Sequence, residues 1–373
     1  MVDKILPIHI VLENLKNRIN NIPLGDPQFA DPRYKGIELS SKHFHPIETL
    51  DNSRTICYID GGNIAIARAP NFVVELTRLH SCKYQGQGRI KNVLPSRIEF
   101  YTICCATSEN DKIMYETEII PVKDEWKKFL PNSKDLKFDS FDVTLMYGRQ
   151  RASIDRVADS ARLFSEWSYT KHLIENELDK NDIVVKDGSL QTIVTNEAKY
   201  ANKAYDEAIR KKVIFSGLSK TSSLFTTTGH PLLSSISELA ENTNLKDESW
   251  YYHPIVEIIH PDHRAEMFAV KLHKNSEYVF RFEILRDQFR NMSSKYVDSI
   301  IGALALNSND LCFPGYPYGL IEADRLARVS NQERGSHEIQ FMSASASSGF
   351  WASINRHLKC VNAHSMLDNL VGE

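Results

Sequence analysis

Two aspartates stand where short apolar runs meet glycine. Thr55-Ile56-Cys57-Tyr58-Ile59 leads into Asp60-Gly61-Gly62-Asn63, and Ile183-Val184-Val185 leads into Asp187-Gly188-Ser189-Leu190. Buried neighbouring strands that deliver carboxylates to one sheet edge can share a hard cation such as magnesium or manganese, and glycine lets a substrate backbone come close. A cation held there stabilises charge developing on a phosphate and activates water. Asp-Gly is also a common way out of a strand with no chemistry attached. What carries weight here is the recurrence of the pattern after two separate apolar runs.

Other acids and bases extend the set. Asp155, Asp159, Arg162 and Glu166 follow an i, i+4, i+7, i+11 spacing and so share one helix face. That face either turns an acid toward the sheet edge or is a solvated, salt-bridged surface. Lys220 follows Val213-Ile214-Phe215-Ser216-Gly217-Leu218-Ser219, where a third strand would end. It can hold a phosphate oxygen beside the hydroxyls of Ser219, Thr221 and Ser222. Tyr316-Pro317-Tyr318-Gly319 precedes Asp324, which places another acid on a helix after a rigid turn. His260 and His263 lack a third suitably spaced ligand and read as turn residues, and His364 is ambiguous. Arg89, Lys91 and Arg97, then Arg149, Arg151 and Arg156, form local basic clusters that a solvated face explains equally well.

The elements that must position these groups are legible in outline. Pro7 opens a helix on which Ile8, Leu12, Leu15 and Ile19 share a face, and residues 23–50 read as a loop or arm. The first Asp-Gly pattern predicts a strand that ends in a glycine turn at residue 61. Strands are expected over 72–79 and 98–106, irregular chain over 109–150, and a helix over 153–178. A strand at 183–185, a helix over 196–212 and a strand at 213–215 follow, then a hairpin of 267–272 and 278–285 around Lys274-Asn275-Ser276. Helices are expected over 288–306 and 319–333, and a loop or helix start over 343–353. This order predicts an α/β core with a mixed sheet.

The chain of 373 residues has 45 Lys+Arg against 48 Asp+Glu, a net charge of −3, so any nucleic-acid site must be a local patch. With 42% hydrophobic and 25% charged residues, disordered, collagen-like and disulfide-stapled classes are excluded. The six cysteines contain no CxxC pair, which points to buried reduced thiols rather than zinc. No apolar run has membrane length, and the N-terminal residues lack a signal peptide's apolar core, so a cytoplasmic protein is expected.

Taken in order, these motifs resemble the NurA family of nucleases. The resembling pieces are Tyr58-Ile59-Asp60-Gly61-Gly62, the helix with Asp155, Arg162 and Glu166, Val185-Lys186-Asp187-Gly188-Ser189-Leu190, and Gly217-Leu218-Ser219-Lys220. Phe280-Arg281-Phe282 and Tyr316-Pro317-Tyr318-Gly319-Leu320-Ile321-Glu322-Ala323-Asp324 complete the series, which covers about residues 55–335. The resemblance implies an RNase H-like mixed sheet flanked by helices, similar to the Argonaute nuclease domain, with helical N- and C-terminal additions. It implies an N-terminal helix and arm over 1–50, a nuclease domain over 51–335 and a tail packing on it over 336–373. Asp60, Glu166, Asp187 and Asp324 match the family's metal ligands, Tyr316 and Lys220 match further catalytic positions, and Lys220, Arg162 and Arg281 are the expected DNA contacts. In some members the position of Asp324 is histidine; aspartate makes the site richer in oxygen and weakens the preference for Mn²⁺ over Mg²⁺.

The activity so implied is metal-dependent hydrolysis of DNA, 5′ to 3′ at ends and within single strands. It comes with a HerA-type hexameric ATPase as partner, a homodimer, and a role in end resection, repair or anti-phage defence. The helix Ile8 to Ile19 is the candidate partner or dimer contact, or it packs on its own domain. Two other readings fit the bare motifs. An actin-like or sugar-kinase-type ATPase also uses paired Asp-Gly turns but needs a late glycine-rich loop, and here Gly335 and Gly349 are isolated. A non-catalytic adaptor of a DNA motor would not need all four acids.

Overall fold

A computed structural model describes residues 7–19, 22–48, 54–243 and 245–360. The principal elements of the first half are helix α1 (Pro7–Ile19), strands β1 (Thr55–Ala69), β2 (Phe72–Gln85), β3 (Arg97–Glu109) and β4 (Lys112–Pro121), and helix α2 (Ile154–Glu177). Strand β5 (Ile183–Asp187), helix α3 (Glu197–Lys211), strand β6 (Ile214–Ser219) and helix α4 (Leu232–Glu241) follow. Strands β7 (Ala265–Lys271) and β8 (Phe280–Leu285) precede helices α5 (Ser294–Leu306), α6 (Tyr318–Ala327), α7 (Asn331–Ser347) and α8 (Trp351–Leu358). Two compact units result: Met1–Leu50 with Leu218–Gly315, and Asp51–Gly217 with Tyr316–Glu373.

The unit that begins at Asp51 is built on a mixed sheet in the order β6-β5-β1-β2-β3-β4. β1, β2 and β3 form an antiparallel meander, and β5 then lies parallel to β1 on its other side. Helix α2 connects the meander to β5 and α3 connects β5 to β6, which is the RNase H-like arrangement expected from the sequence. The register pairs Val185 with Tyr58 and Lys186 with Ile59, so the next rung sets Asp187 beside Asp60. β5 is short and apolar because both of its faces are covered. One cover is a ring cluster in which Trp167 stacks on Phe215 at 5.8 Å and Tyr205 meets both edge-on. Ser153 caps α2 by accepting a hydrogen bond from the Arg156 backbone N–H, and Val157, Ala161 and Phe164 are fully buried.

The other unit holds the hairpin β7–β8, which pairs Ala265 with Leu285 and Val270 with Phe280. The strand Trp250–Tyr252 extends it and is itself flanked by Phe44–Pro46. Leu232 and Ile236 of α4 pack with Trp250, Tyr252 and Met267 beneath that sheet. Helix α1 forms where its Pro7 start and apolar period place it, and Ile8, Leu12, Leu15 and Ile19 are each about half exposed.

Several elements differ from the sequence expectations. β1 does not stop at Asp60: it runs to Ala69, and Gly61 and Gly62 are ladder residues opposite Leu79 and Arg78. Residues 109–150 are not wholly irregular, because Lys112–Pro121 pairs with residues 100–109 along the outer edge of β3. Its alternating charged face hides the strand pattern. The single helix expected over 319–333 is two: α6 ends at Ala327, and Ser330 with Glu333 forms a capping box that starts α7. α7 then runs through 343–347 and stops near Gly349, whose φ of +73° suits glycine. Cys57, Cys82 and Cys104 are buried free thiols as expected, whereas Cys312 and Cys360 are exposed. Among the described residues, no helix is long and apolar enough to cross a membrane.

Candidate metal centre

Asp60, Asp187 and Asp324 each offer a carboxylate oxygen, and these oxygens lie within 4.8 Å of one another. Among the described residues this is the one group of His, Cys, Asp or Glu side chains so arranged. Three elements make it. Asp60 comes from the middle of β1 and accepts a hydrogen bond of 2.7 Å from the Gly61 backbone N–H. Asp187 comes from the end of β5, where Gly188, at φ +97°, turns the chain away. Asp324 comes from α6, which can lie against β1 because residue 319 is glycine: a Cβ there would fall 1.9 Å from the Tyr58 ring.

The glycines beside Asp60 serve close packing and not a turn. A Cβ on Gly61 would meet a Glu166 carboxylate oxygen at 2.6 Å, and one on Gly62 would meet the Ala327 carbonyl oxygen at 2.7 Å. The Asp60-Gly61-Gly62 motif therefore admits α2 on one side and the end of α6 on the other.

Tyr316 lies just ahead of α6 with its side chain buried. Burial, and then the negative charges of Asp187, Asp60 and Asp324, push its hydroxyl far above the ordinary tyrosine range. The phenol is therefore protonated at any physiological pH and remains a hydrogen-bond donor.

Glu166 is 2% exposed and stands outside the aspartate group. One oxygen accepts from Lys186 Nζ at 2.8 Å, and the other is ion-paired with Arg162. Burial alone would raise its pKa, but Lys186 and then Arg162 outweigh it and hold the carboxyl below its usual range. Both bases are shifted up in turn, Glu166 overcoming the burial that would lower them. Arg162 also donates to Asn63 Oδ1 at 3.0 Å, and the Asn63 amide donates to Glu75 at 2.8 Å and to Asp159 at 2.7 Å. Asp155 is bound by Arg68 at 2.7 Å. The charged face of α2 is thus salt-bridged along its length, partly exposed at Asp155 and buried at Glu166. It is a chain of ion pairs and amides that ties α2 to β1 and β5 behind the aspartates.

The remaining expected site residues lie in the other unit or outside the described residues. Lys220 is exposed, one residue past β6. Arg281 on β8 donates to Glu283 at 2.6 Å, and Glu283 also meets the buried His263 at 3.1 Å. The His263 backbone N–H closes the expected turn on the His260 carbonyl at 3.2 Å, while its ring, facing the Tyr34 hydroxyl at 3.0 Å, joins a buried network that the turn reading did not include. His364 falls outside the described residues. Lys186 is the residue that sequence reasoning overlooked. Its signal was a cation directly after the apolar run Ile183-Val184-Val185 and still inside the strand, a place a lysine takes only when a buried acid meets it.

Three carboxylates supply only hard oxygen donors, the set that suits Mg²⁺ or Mn²⁺ and not a thiolate- or imidazole-preferring ion. Residues 54–329 match the family model for the NurA domain. No curated protein matches the chain. Among solved structures, Aquifex aeolicus Argonaute is similar over 74% of this chain and 28% of that one, at 10% identity and a TM-score of 0.26. Kluyveromyces polysporus Argonaute with a guide RNA is similar over 77% of this chain and 28% of that one, at 11% identity and a TM-score of 0.29. The chain thus spans under a third of the length of these Argonautes.

Proposed function

The chain belongs to the NurA family, and on that premise we propose that it is a divalent-metal-dependent DNA nuclease with its reaction centre at Asp60, Asp187 and Asp324. The observation that carries the reading is the convergence of these three carboxylates from two strands and a helix within the matched region. Asp60, Asp187 and Asp324 would hold Mn²⁺ or Mg²⁺, which supplies charge neutralisation at the phosphate and activation of water.

The chain's own groups do the rest. Tyr316, kept protonated beside the aspartates, donates a hydrogen bond to a phosphate or leaving oxygen. Arg162 backs Asp60 through the Gly61 carbonyl at 3.4 Å, and a role of Lys220 at the scissile phosphate is inferred from the family resemblance alone. Glu166 is assigned the work of fixing Lys186 and Arg162; a direct role as ligand, which the family resemblance implies, would require those ion pairs to open. By the same resemblance we infer DNA as substrate, 5′ to 3′ action at ends together with cutting of single strands, and a homodimer. A HerA-type ATPase as partner and a role in resection, repair or anti-phage defence follow from it too.

The test is cleavage of linear and circular single-stranded DNA with Mn²⁺ or Mg²⁺ by the wild type, Asp60→Ala and Asp187→Ala. Metal-dependent cleavage lost in both variants is the expected result, and cutting of the circle separates endonuclease from end-directed action. Absence of cleavage even with a HerA-type ATPase added, or cleavage unaffected by either substitution, would overturn the reading.

A further inference from the structure

On the outer side of α2 and α3 lies an open cleft of about 360 Å³, within the same compact unit as the three aspartates. Its lining includes Lys128, Lys171, Lys199 and Lys203, with Asp135 as its acid. This is a local reversal of sign in a chain whose net charge is −3. Two of the lysines are neutralised in place: Lys199 by Asp135 at 2.6 Å and Lys171 by Glu175 at 2.6 Å. The other two are not held in a pair, and Lys203 shares only the longer-range attraction of Asp135. Lys203 Nζ stands 5.4 Å from the centre of the Tyr200 ring and Lys128 Nζ 5.0 Å from that of Phe129, and among the described residues neither makes an ion pair.

The cleft is also held open by its own framework. The Tyr200 hydroxyl donates to Asp135 at 2.6 Å and accepts from the Asn132 backbone N–H at 2.9 Å, which fixes the segment before α2 against α3. His172 sits edge-on to Phe129 at 5.2 Å with Nε2 3.1 Å from the Lys128 carbonyl oxygen. Burial, and then the neighbouring Lys171, lower the His172 pKa, so the positive charge of the cleft comes from lysine alone.

We propose that this cleft is a second binding site for the phosphodiester backbone of a single-stranded polynucleotide, distinct from the aspartate centre, with Lys128 and Lys203 as its phosphate contacts. Lysine ammonium groups act as point charges for phosphate, and the cleft contains no arginine fork to read a base edge. Phe129 and Tyr200 are buried and offer no open face on which a base could stack. Recognition is therefore of the backbone and independent of sequence. α2 carries Glu166 five residues before Lys171, and α3 follows the turn that begins after Asp187, so strand held here runs over the helices that support the reaction centre. The inference rests on the nuclease reading for the identity of the polyanion.

The experiment is fluorescence anisotropy of a labelled 40-nucleotide oligothymidylate with the full chain in chelator, titrated over a series of salt concentrations. The proteins are wild type, Lys128→Ala/Lys203→Ala and the charge-retaining Lys128→Arg/Lys203→Arg. Loss of two phosphate contacts lowers the slope of log affinity against log salt by about 1.4 and weakens binding roughly 25-fold at ~0.1 M salt. The arginine variant binds as the wild type does. With metal, the alanine variant shows a raised KM for the 40-mer and an unchanged kcat. Equal binding and slope for wild type and alanine variant would overturn the proposal and leave the nuclease reading standing. Lysine-dependent binding with no cleavage under any metal, even with a HerA-type ATPase added, would support the cleft and sink the nuclease. Competition by inorganic phosphate equal to that of the oligomer at matched phosphate concentration, or stronger displacement by polyglutamate than by DNA, would also overturn it.

Discussion

The three aspartates repel one another unless a cation lies between them, and that repulsion makes a counterintuitive prediction. Asp187→Asn removes two of the three pairs in a group whose oxygens are within 4.8 Å. At that separation and an effective dielectric of about 20, each pair costs about 3 kcal/mol. Partial solvent exposure, and Arg328 at 3.5 Å from Asp324, screen this to about 2 kcal/mol for both pairs together. The substitution keeps the side chain's shape, so the metal-free variant melts above the wild type. For a unit of this size, 2 kcal/mol corresponds to about 4–8 °C. Mg²⁺ or Mn²⁺ reverses the order. At about 100 times its dissociation constant a metal stabilises the wild type by roughly 2.7 kcal/mol, and the variant gains little. Thermal unfolding of both proteins in chelator and in either metal reads the whole argument. A chelated variant that melts at or below the wild type would refute the repulsive cluster, and an undiminished metal response in the variant would refute Asp187 as a ligand.

Three further outcomes follow from contacts behind the site. Glu166→Gln strands Lys186 and Arg162 in a buried position and costs about 3–5 kcal/mol in urea unfolding, with much of the loss restored by adding Lys186→Met; a neutral single variant would sink the ion-pair role. Glu75 is pushed up to about 7, first by burial and then by Asp159, from an ordinary value of 4.5. The folded state then holds a proton that the unfolded chain releases, so this residue makes stability fall as pH rises from about 4.5 to about 7, by roughly 3 kcal/mol. In Glu75→Gln that decline is absent, and urea midpoints that run parallel in the two proteins from pH 5 to 8 would contradict the assignment. Gly319→Ala drives a methyl group into the Tyr58 ring, displaces α6, and costs at least about 1–3 kcal/mol together with the metal-induced rise in melting temperature. Unchanged metal stabilisation there would show that Asp324 does not depend on how α6 seats.

Much of this was legible in the chain itself, because some features depend only on local pattern. The apolar runs before Asp60 and Asp187, the 3.6-residue period of α2 and the polar-apolar alternation around the β7–β8 turn each select a backbone form without reference to anything distant. Their order then restricts the topology, since a helix between two strands in one sheet favours a parallel pair. Asp60 and Asp187 could accordingly be paired before their positions were known, whereas Asp324 and Glu166 joined them only through the family resemblance.

What the residues could not say by themselves is which groups fill one another's space. Gly61 and Gly62 have the composition of a turn, and only the approach of Glu166 and Ala327 reveals that they are strand residues kept small. Spacing puts Glu166 on one helix face with Asp155, Asp159 and Arg162 without saying what meets it; the register that seats Lys186 opposite Ile59 puts a buried cation against it, and a desolvated carboxylate takes the nearest charge. The association of residues 1–50 with 218–315 and of 51–217 with 316–373 is likewise invisible to any local pattern. Periodicity fixes which face of an element is apolar; which partner covers it depends on shape and charge brought together across hundreds of residues, and those meet only in the folded chain.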